Sequence, residues 1–180
     1  MKDLTVMPLL RNLLLLLTLT CAPAMAQSLY QIEVLAFRQA QPLLASQPVN
    51  DAWADGAQAV QPEASMTPML VQEAERLSSP ANGYELLMQQ SWKQTVTEQP
   101  VSVTIGQGDS QDGHQPVELK LDLRKQNYID AGVDLWVNHF GEDGLLMASE
   151  RLKQERRISY KELNYFDHGS IGLLIRVTPL

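Results

Sequence analysis

The chain has 180 residues, of which 44% are hydrophobic and 19% charged, so it is not disordered over its whole length. Its 21 acidic and 14 basic residues give a formal charge of −7. This acidic excess argues against nucleic acid as a partner, because nucleic-acid binding depends largely on Lys and Arg side chains that neutralise phosphates.

The first 26 residues have the pattern of a secretory signal peptide. Lys2 and Arg11 precede an apolar run at residues 13–20, and small residues then form a cleavage site that ends at Ala26. The apolar run is shorter than the ~20 residues with which a helix crosses a bilayer, and no later segment comes closer to that length. We therefore expect export, cleavage after Ala26 and a mature chain without a membrane span.

The mature chain, residues 27–180, is expected to be one domain located in the periplasm. Loss of the signal peptide would change its formal charge from −7 to −8, because two basic residues and one acidic residue are removed. Cys21, the only cysteine, lies in the signal peptide. Disulfides, thiol nucleophiles and cysteine-ligated metal sites are therefore not expected in the mature chain.

Most of the mature chain is predicted to form strands. Several segments are rich in β-branched and aromatic residues or alternate apolar with polar side chains. They are residues 30–37, 84–96, 101–105, 117–124, 133–138, 152–158 and 171–179. Alternation in the second of these places one set of side chains on the same side: Tyr84, Leu86, Met88, Gln90, Trp92 and Gln94.

One helix is predicted between Thr67 and about residue 80. Thr67 can cap it, Pro68 suits its first position, and three apolar residues share one face at helical spacing: Leu70, Ala74 and Leu77. Since hairpin-length links connect the strands, the sequence predicts a single α+β domain. We expect a mainly antiparallel sheet of about six strands packed by one helix.

Residues 39–64 are rich in Gln, Ala and Pro, a composition that buries little apolar surface. We interpret this stretch as a flexible surface segment. Trp53 is the one aromatic side chain of this segment. Its large ring either packs onto the domain or binds a ligand, and packing onto the domain is the favoured interpretation.

No metal or cofactor is predicted. His114, His139 and His168 lack the spacing of zinc-binding motifs, and the chain has neither a phosphate-binding loop nor a dinucleotide glycine pattern.

The sequence also gives little support to catalysis. A hydrolase would need Asp167 and His168 to act with Ser159 or Ser170, but adjacent residues of an extended backbone point to opposite sides. The acidic pair at residues 142–143 lies in a turn, whereas a glycosidase needs one buried acid at a fixed distance from a second. We therefore expect no enzymatic activity.

A C-terminal cluster of side chains suits a glycan-peptide ligand. Arg156 and Arg157 can hold carboxylates in bidentate fashion, and nearby exposed tyrosines can stack on sugar rings. In the alternative interpretation, the two arginines pair with Glu155 and Glu162 while the following aromatic residues fill the core.

Six short motifs follow one another along the mature chain. They are YQIEVLAFR at residues 30–38, GYxLL at 83–87, SWKQ at 91–94, RR at 156–157, ELNYFDH at 162–168 and GLLIRVTP at 172–179. Their joint order, after a signal peptide, resembles the CsiV family of periplasmic peptidoglycan-binding proteins.

The resemblance implies a non-enzymatic periplasmic protein of gammaproteobacterial type that binds peptidoglycan and supports cell-wall synthesis and cell shape. It also implies a protein partner, an outer-membrane lipoprotein that activates a bifunctional wall synthase. Within the matching motifs it favours the following ligand-binding residues: Trp92, Gln94, Arg156, Arg157, Glu162, Tyr165, Asp167 and His168.

Three functions follow from these observations. The main hypothesis is a binding module whose aromatic rings stack on the glycan and whose arginines hold stem-peptide carboxylates. The second is a protein-protein adaptor without direct wall binding, since flexible segments such as residues 39–64 often order on a partner. The third is a hydrolase that uses Asp167 and His168 and would release muropeptides from the wall.

Overall fold

A computed structural model describes residues 28–63 and 66–180, which form a single domain of ten strands and one short α-helix. The predicted signal peptide and its cleavage site lie outside the described residues. Within the described part of the chain, no helix has both the length and the apolar character needed to cross a membrane.

The smaller sheet has four antiparallel strands in the order β4-β1-β10-β9. Strand β1 (Ser28–Gln39) and strand β10 (Ile171–Pro179) form its centre, with β4 (Tyr84–Val96) and β9 (Asn164–His168) at its edges. The first and last strands of the domain are therefore hydrogen-bonded neighbours.

The larger sheet has six strands in the order β2-β8-β7-β6-β5-β3. Its four long strands, all antiparallel, are β5 (Val101–Gln107), β6 (Val117–Lys125), β7 (Ile129–Phe140) and β8 (Leu146–Ile158). Two-residue strands flank them: β2 (Ala45–Ser46) pairs with β8, and β3 (Gln58–Ala59) runs parallel to β5.

The prediction of one sheet of about six strands packed by one helix is therefore wrong in its architecture. The main core lies between two sheets, where Ile32 and Trp92 of the smaller sheet join Leu121 and Leu135 of the larger one. Alternation shows that one side of a strand is buried, but it does not show which surface buries it. The seven segments predicted as strands all form strands, including residues 152–158 within β8.

The α-helix, α1 (Val71–Ser78), packs on the outer side of the smaller sheet through Leu70, Ala74 and Leu77. It begins four residues after Thr67, and no side chain of its own N-terminus caps it. Instead the buried carboxylate of Glu33 in β1 accepts hydrogen bonds from the backbone amides of Met69 and Leu70. A cap from a distant strand leaves no local sequence signal.

The prediction that Leu86 and Met88 lie on the same side of strand β4 is wrong, because the strand contains a β-bulge between them. Ala36 of β1 opposes Met88, but the next residue, Phe37, opposes Leu86. The extra residue reverses the sides, so Leu86 packs with Phe37 under the helix while Met88 and Trp92 face the main core.

The predicted flexible segment, described as far as Glu63, contacts both edges of the larger sheet through β2 and β3. Between them, the backbone amide of Val49 donates to Ser149 Oγ (3.1 Å), and the Asp55 carbonyl accepts from Lys120 Nζ (2.6 Å). Lys120 lies on the outer side of that sheet, because Leu119 and Leu121 face the core. The segment therefore crosses the outer side of the larger sheet.

Candidate functional site

A groove of about 800 Å³ lies on the outer side of the larger sheet. Strands β6, β7 and β8 form its floor, and Asn50, Ala52 and Trp53 of the crossing segment line it from above. Trp53 is half-buried, so its ring docks on the domain, as favoured from the sequence, and still reaches the groove.

Cross-strand pairing arranges the charged side chains of the floor in rows. Each row takes one outward-facing residue from β6, β7 and β8 in turn. The three successive rows are Arg124-Asp130-Arg157, Asp122-Gly132-Glu155 and Lys120-Asp134-Lys153. The outer rows place an acid between two bases, and the middle row places a glycine between two acids.

Two ion pairs fix the arginines of the floor. Arg151 donates two hydrogen bonds to Asp134, from Nε at 2.8 Å and from Nη2 at 2.7 Å. Arg124 donates to Asp130 Oδ2 from Nη2 at 2.6 Å. These hydrogen bonds raise the pKa of both guanidinium groups.

The middle row is not neutralised in this way. Asp122 accepts a hydrogen bond from the Ser102 hydroxyl, but neither Asp122 nor Glu155 forms an ion pair with any described residue. A Cβ atom at Gly132 would lie 3.3 Å from Asp122 Oδ2, so the carboxylate leans over the space left by the missing side chain. The centre of the floor is therefore open and negatively charged.

Trp136 also lines the groove, next to the ion pairs. Its side chain is 5% exposed, and the Arg151 guanidinium lies 4.2 Å from its ring centroid. The indole Nε1 is buried without an acceptor among the described residues. A buried N–H without a partner is unfavourable by about 1–3 kcal/mol, so an acceptor that reached this donor would be bound favourably.

Trp92 and Gln94, two predicted ligand-binding residues, lie in the main core. Trp92 is 1% exposed, and its Nε1 donates to Gln94 Oε1 at 3.0 Å. Gln94 Nε2 in turn donates to the Val101 carbonyl (3.4 Å). Because the ring is enclosed by both sheets, it cannot stack on a glycan from this position, and the pair supports the fold.

Arg156, Tyr165 and Asp167 lie together at an edge where β8 meets β9. Arg156 donates to the Tyr165 carbonyl and lies 4.3 Å from the Phe166 ring centroid, so it does not pair with Glu155 or Glu162. The Tyr165 ring stacks on Phe37 at 6.1 Å. Burial, and then the charge of Asp167, raise the pKa of Tyr165.

The other three predicted residues are scattered. Glu162 is exposed in the turn before β9, and His168 is exposed at the end of β9, on the opposite side from Asp167. Arg157 alone among the eight lies on the side of the sheet that carries the groove, where its guanidinium covers Tyr128 at 3.7 Å.

Ser170, one of the two serines considered as a nucleophile, contacts a carboxylate and forms no hydrogen bond with a histidine among the described residues. The Ser170 hydroxyl is buried and donates to Glu150, whose other carboxylate oxygen lies 3.0 Å from His139 Nε2. Glu150 thus lies between Ser170 and His139, whereas a serine hydrolase needs its serine and histidine in direct contact. Over the ranges that the structure describes, no group of three potential ligands could hold a metal ion.

Apart from Trp53, the residues of the groove were not identified as a site from the sequence. The alternating polar residues of β6 and β7 were interpreted only as the solvent side of two strands. The strand register shows that these charges lie in rows across the sheet and that Gly132 lies between Asp122 and Glu155. Those pairings are not visible in local sequence.

In a comparison with protein families, the model described as "Peptidoglycan-binding protein, CsiV" matches residues 49–180. The matched region begins in the segment that crosses the larger sheet and includes every residue of the groove. No curated protein and no solved structure matches the chain.

Proposed function

Because the chain belongs to the CsiV family, which is described as peptidoglycan-binding, we propose that it binds peptidoglycan in the periplasm without catalysis and does so in the groove of the larger sheet. The observation that carries this proposal is the groove itself. It combines the accessible ring of Trp53 with two arginine–aspartate ion pairs and with two carboxylates that form no ion pair with any described residue.

The chemistry of the groove suits a polymer of amino sugars and short peptides. Trp53 offers an amphipathic ring on which the apolar side of a sugar can stack. Lys153, exposed and 3.8 Å from Asp134, offers an ammonium to a stem-peptide carboxylate. The carboxylates of the floor accept hydrogen bonds from sugar hydroxyls and amides, so a ligand would be oriented as well as held.

The test is co-sedimentation of residues 27–180 with purified sacculi. We expect Trp53→Ala to weaken binding by about tenfold, the effect of losing 1–2 kcal/mol of stacking. Tyr84→Ala is the matched control, since Tyr84 is also an exposed aromatic residue but lies on the smaller sheet. Equal binding by both variants would assign the ligand to another surface.

The same tubes test the absence of turnover. Muropeptides released from the sacculi during incubation would support the hydrolase hypothesis, with Asp167 and His168 as its first candidates. Binding without release between pH 5 and 8 is the result expected of a binding module.

We also propose that wall binding serves cell-wall synthesis through a protein partner, as the family resemblance implies. Exposed apolar residues favour a second surface for that partner, at the end of the smaller sheet. Tyr84 and Tyr165 flank Phe37 there, and Leu44 lies beside the turn at Gly169. Crosslinking in cells should capture an outer-membrane lipoprotein through Leu44 and not through Trp53; a crosslinked partner at Trp53 alone would favour the adaptor hypothesis.

A further inference from the structure

We propose that the groove recognises a free primary ammonium on a peptidoglycan stem peptide, seated over Gly132 between Asp122 and Glu155. This inference rests on the proposed function and adds the part of the polymer that is bound. Un-cross-linked stem peptides carry such an ammonium on their diamino acid, and cross-linking converts it to a neutral amide. The protein would therefore distinguish un-cross-linked from cross-linked wall.

The charge pattern of the floor carries the inference. Gly132 has Asp122 and Glu155 as its cross-strand neighbours, and Asp130 and Asp134 are the next outward-facing residues of its own strand. The rows on either side have the order base, acid, base. The middle row has the order acid, glycine, acid, so a cation bound at Gly132 would complete the alternation of charge across the sheet.

The ion pairs show which acids remain for a ligand. Asp130 and Asp134 are neutralised by Arg124 and Arg151, whereas Asp122 and Glu155 form no ion pair with any residue in the described ranges. Adjacent strands lie about 4.8 Å apart, so the backbones that carry these two acids are about 10 Å apart, with Gly132 between them. An ammonium over Gly132, in the slot between the two acids, would have both unpaired carboxylates beside it.

Trp136 supplies an independent observation in the same groove. It follows Gly132 by four residues in β7, lines the same groove and holds a buried Nε1 with no acceptor among the described side chains. At about 3.3 Å per strand residue, Trp136 lies about 13 Å along β7 from Gly132, so the acceptor would come from a part of the stem peptide beyond the bound ammonium. No described group of three acids or histidines can hold a metal ion, so an organic cation with its own donors fits the slot better.

Glycine at position 132 is explained by the space that it leaves and not by its backbone conformation. Its backbone does not need glycine, because its φ angle is not positive. An added Cβ would meet Asp122 Cβ and Oδ2 at 3.3 Å, which displaces the carboxylate from its place over the glycine. The absent side chain therefore lets the Asp122 carboxylate lie beside Gly132, where it would contact a bound ammonium.

The experiment is a calorimetric titration of residues 27–180 with two soluble muropeptides. They share one sequence and differ only in the diamino acid, whose side-chain ammonium is free in one and acetylated in the other. We expect the acetylated form to bind at least tenfold more weakly, because it loses the charge and its charge-assisted hydrogen bonds. Equal affinity for the two muropeptides would overturn the inference.

Two double variants test whether Asp122 and Glu155 cause the preference for the free ammonium. Asp122→Asn with Glu155→Gln removes both charges while keeping size and the acceptor for Ser102, and it should abolish the preference for the free ammonium. Glu75→Gln with Asp109→Asn removes two exposed acids outside the groove and should preserve it. A preference that survives in the first variant would place ammonium recognition elsewhere and overturn the inference.

Gly132→Lys tests the slot without removing any acid. Its own ammonium would occupy the place of the ligand, so binding of the free muropeptide should fall to the level of the acetylated one. Sedimentation with sacculi separates the two proposals: binding to sacculi without ammonium preference overturns this inference alone, and no binding to sacculi or muropeptides overturns both.

Discussion

Truncation of Trp92 tests whether this ring belongs to the core or to the ligand site. Trp92→Ala removes a side chain that is 1% exposed and enclosed between the two sheets. Large-to-small changes of buried aromatic residues lower the free energy of unfolding by about 3–5 kcal/mol. Since 1 kcal/mol shifts the melting temperature by about 2–4 °C in a domain of this size, the expected fall is roughly 6–20 °C.

The matched variant Trp92→Phe separates the hydrogen bond from the packing. It keeps an aromatic ring but leaves Gln94 Oε1 without the donor that lies 3.0 Å away. The expected loss is about 1–3 kcal/mol, the effect of one buried acceptor without a partner. Thermal and urea unfolding would be measured beside sacculus binding for both variants. Trp92→Ala with near-normal stability but no sacculus binding would refute the assignment of this ring to the core.

Three further changes test other parts of the structure. Glu33→Ala should destabilise the domain by about 1–3 kcal/mol in urea unfolding, because the amides of Met69 and Leu70 lose their acceptor, and unchanged stability would refute the cap. Gly132→Ala should change stability by less than about 1 kcal/mol, since strand propensity rises while Asp122 is displaced; a larger loss would mean that the floor is packed rather than open. Burial, and then the neighbouring Tyr30, raise the pKa of Tyr160 to about 12. The folded state therefore holds this proton more tightly than the unfolded chain, so the contribution is complete below about pH 10 and is lost as the pH rises towards 12. Tyr160→Phe should flatten the decline of unfolding free energy over that range, and an equally steep decline would contradict the assignment.

The sequence predicted the strands well because they alternate or are continuously apolar. Strand β4 and strand β10 have the predicted bounds, and a hairpin joins β6 to β7, as expected of strands connected by a link of hairpin length. What the sequence could not show is how the strands are shared between sheets. The pairing of β1 with β10 joins the two ends of the domain, and no local pattern reports so distant a contact.

The candidate site was harder to predict than the fold. Neighbouring residues of a strand point to opposite sides, so Arg156 and Arg157 lie on different surfaces although they are adjacent in sequence. Motif residues such as Trp92 and Gln94 prove to be core residues, for which packing alone explains their place. The groove depends instead on register, which brings Asp122, Gly132 and Glu155 side by side from three strands.

The most direct test of peptidoglycan binding in the groove is a map of the backbone amides that respond to a soluble muropeptide in NMR spectra of residues 27–180. We predict that the largest shift changes occur around Trp53 and at residues 120–124, 130–136 and 151–155. Changes confined to residues 162–168, where the C-terminal cluster lies, would contradict the assignment of the ligand to the groove.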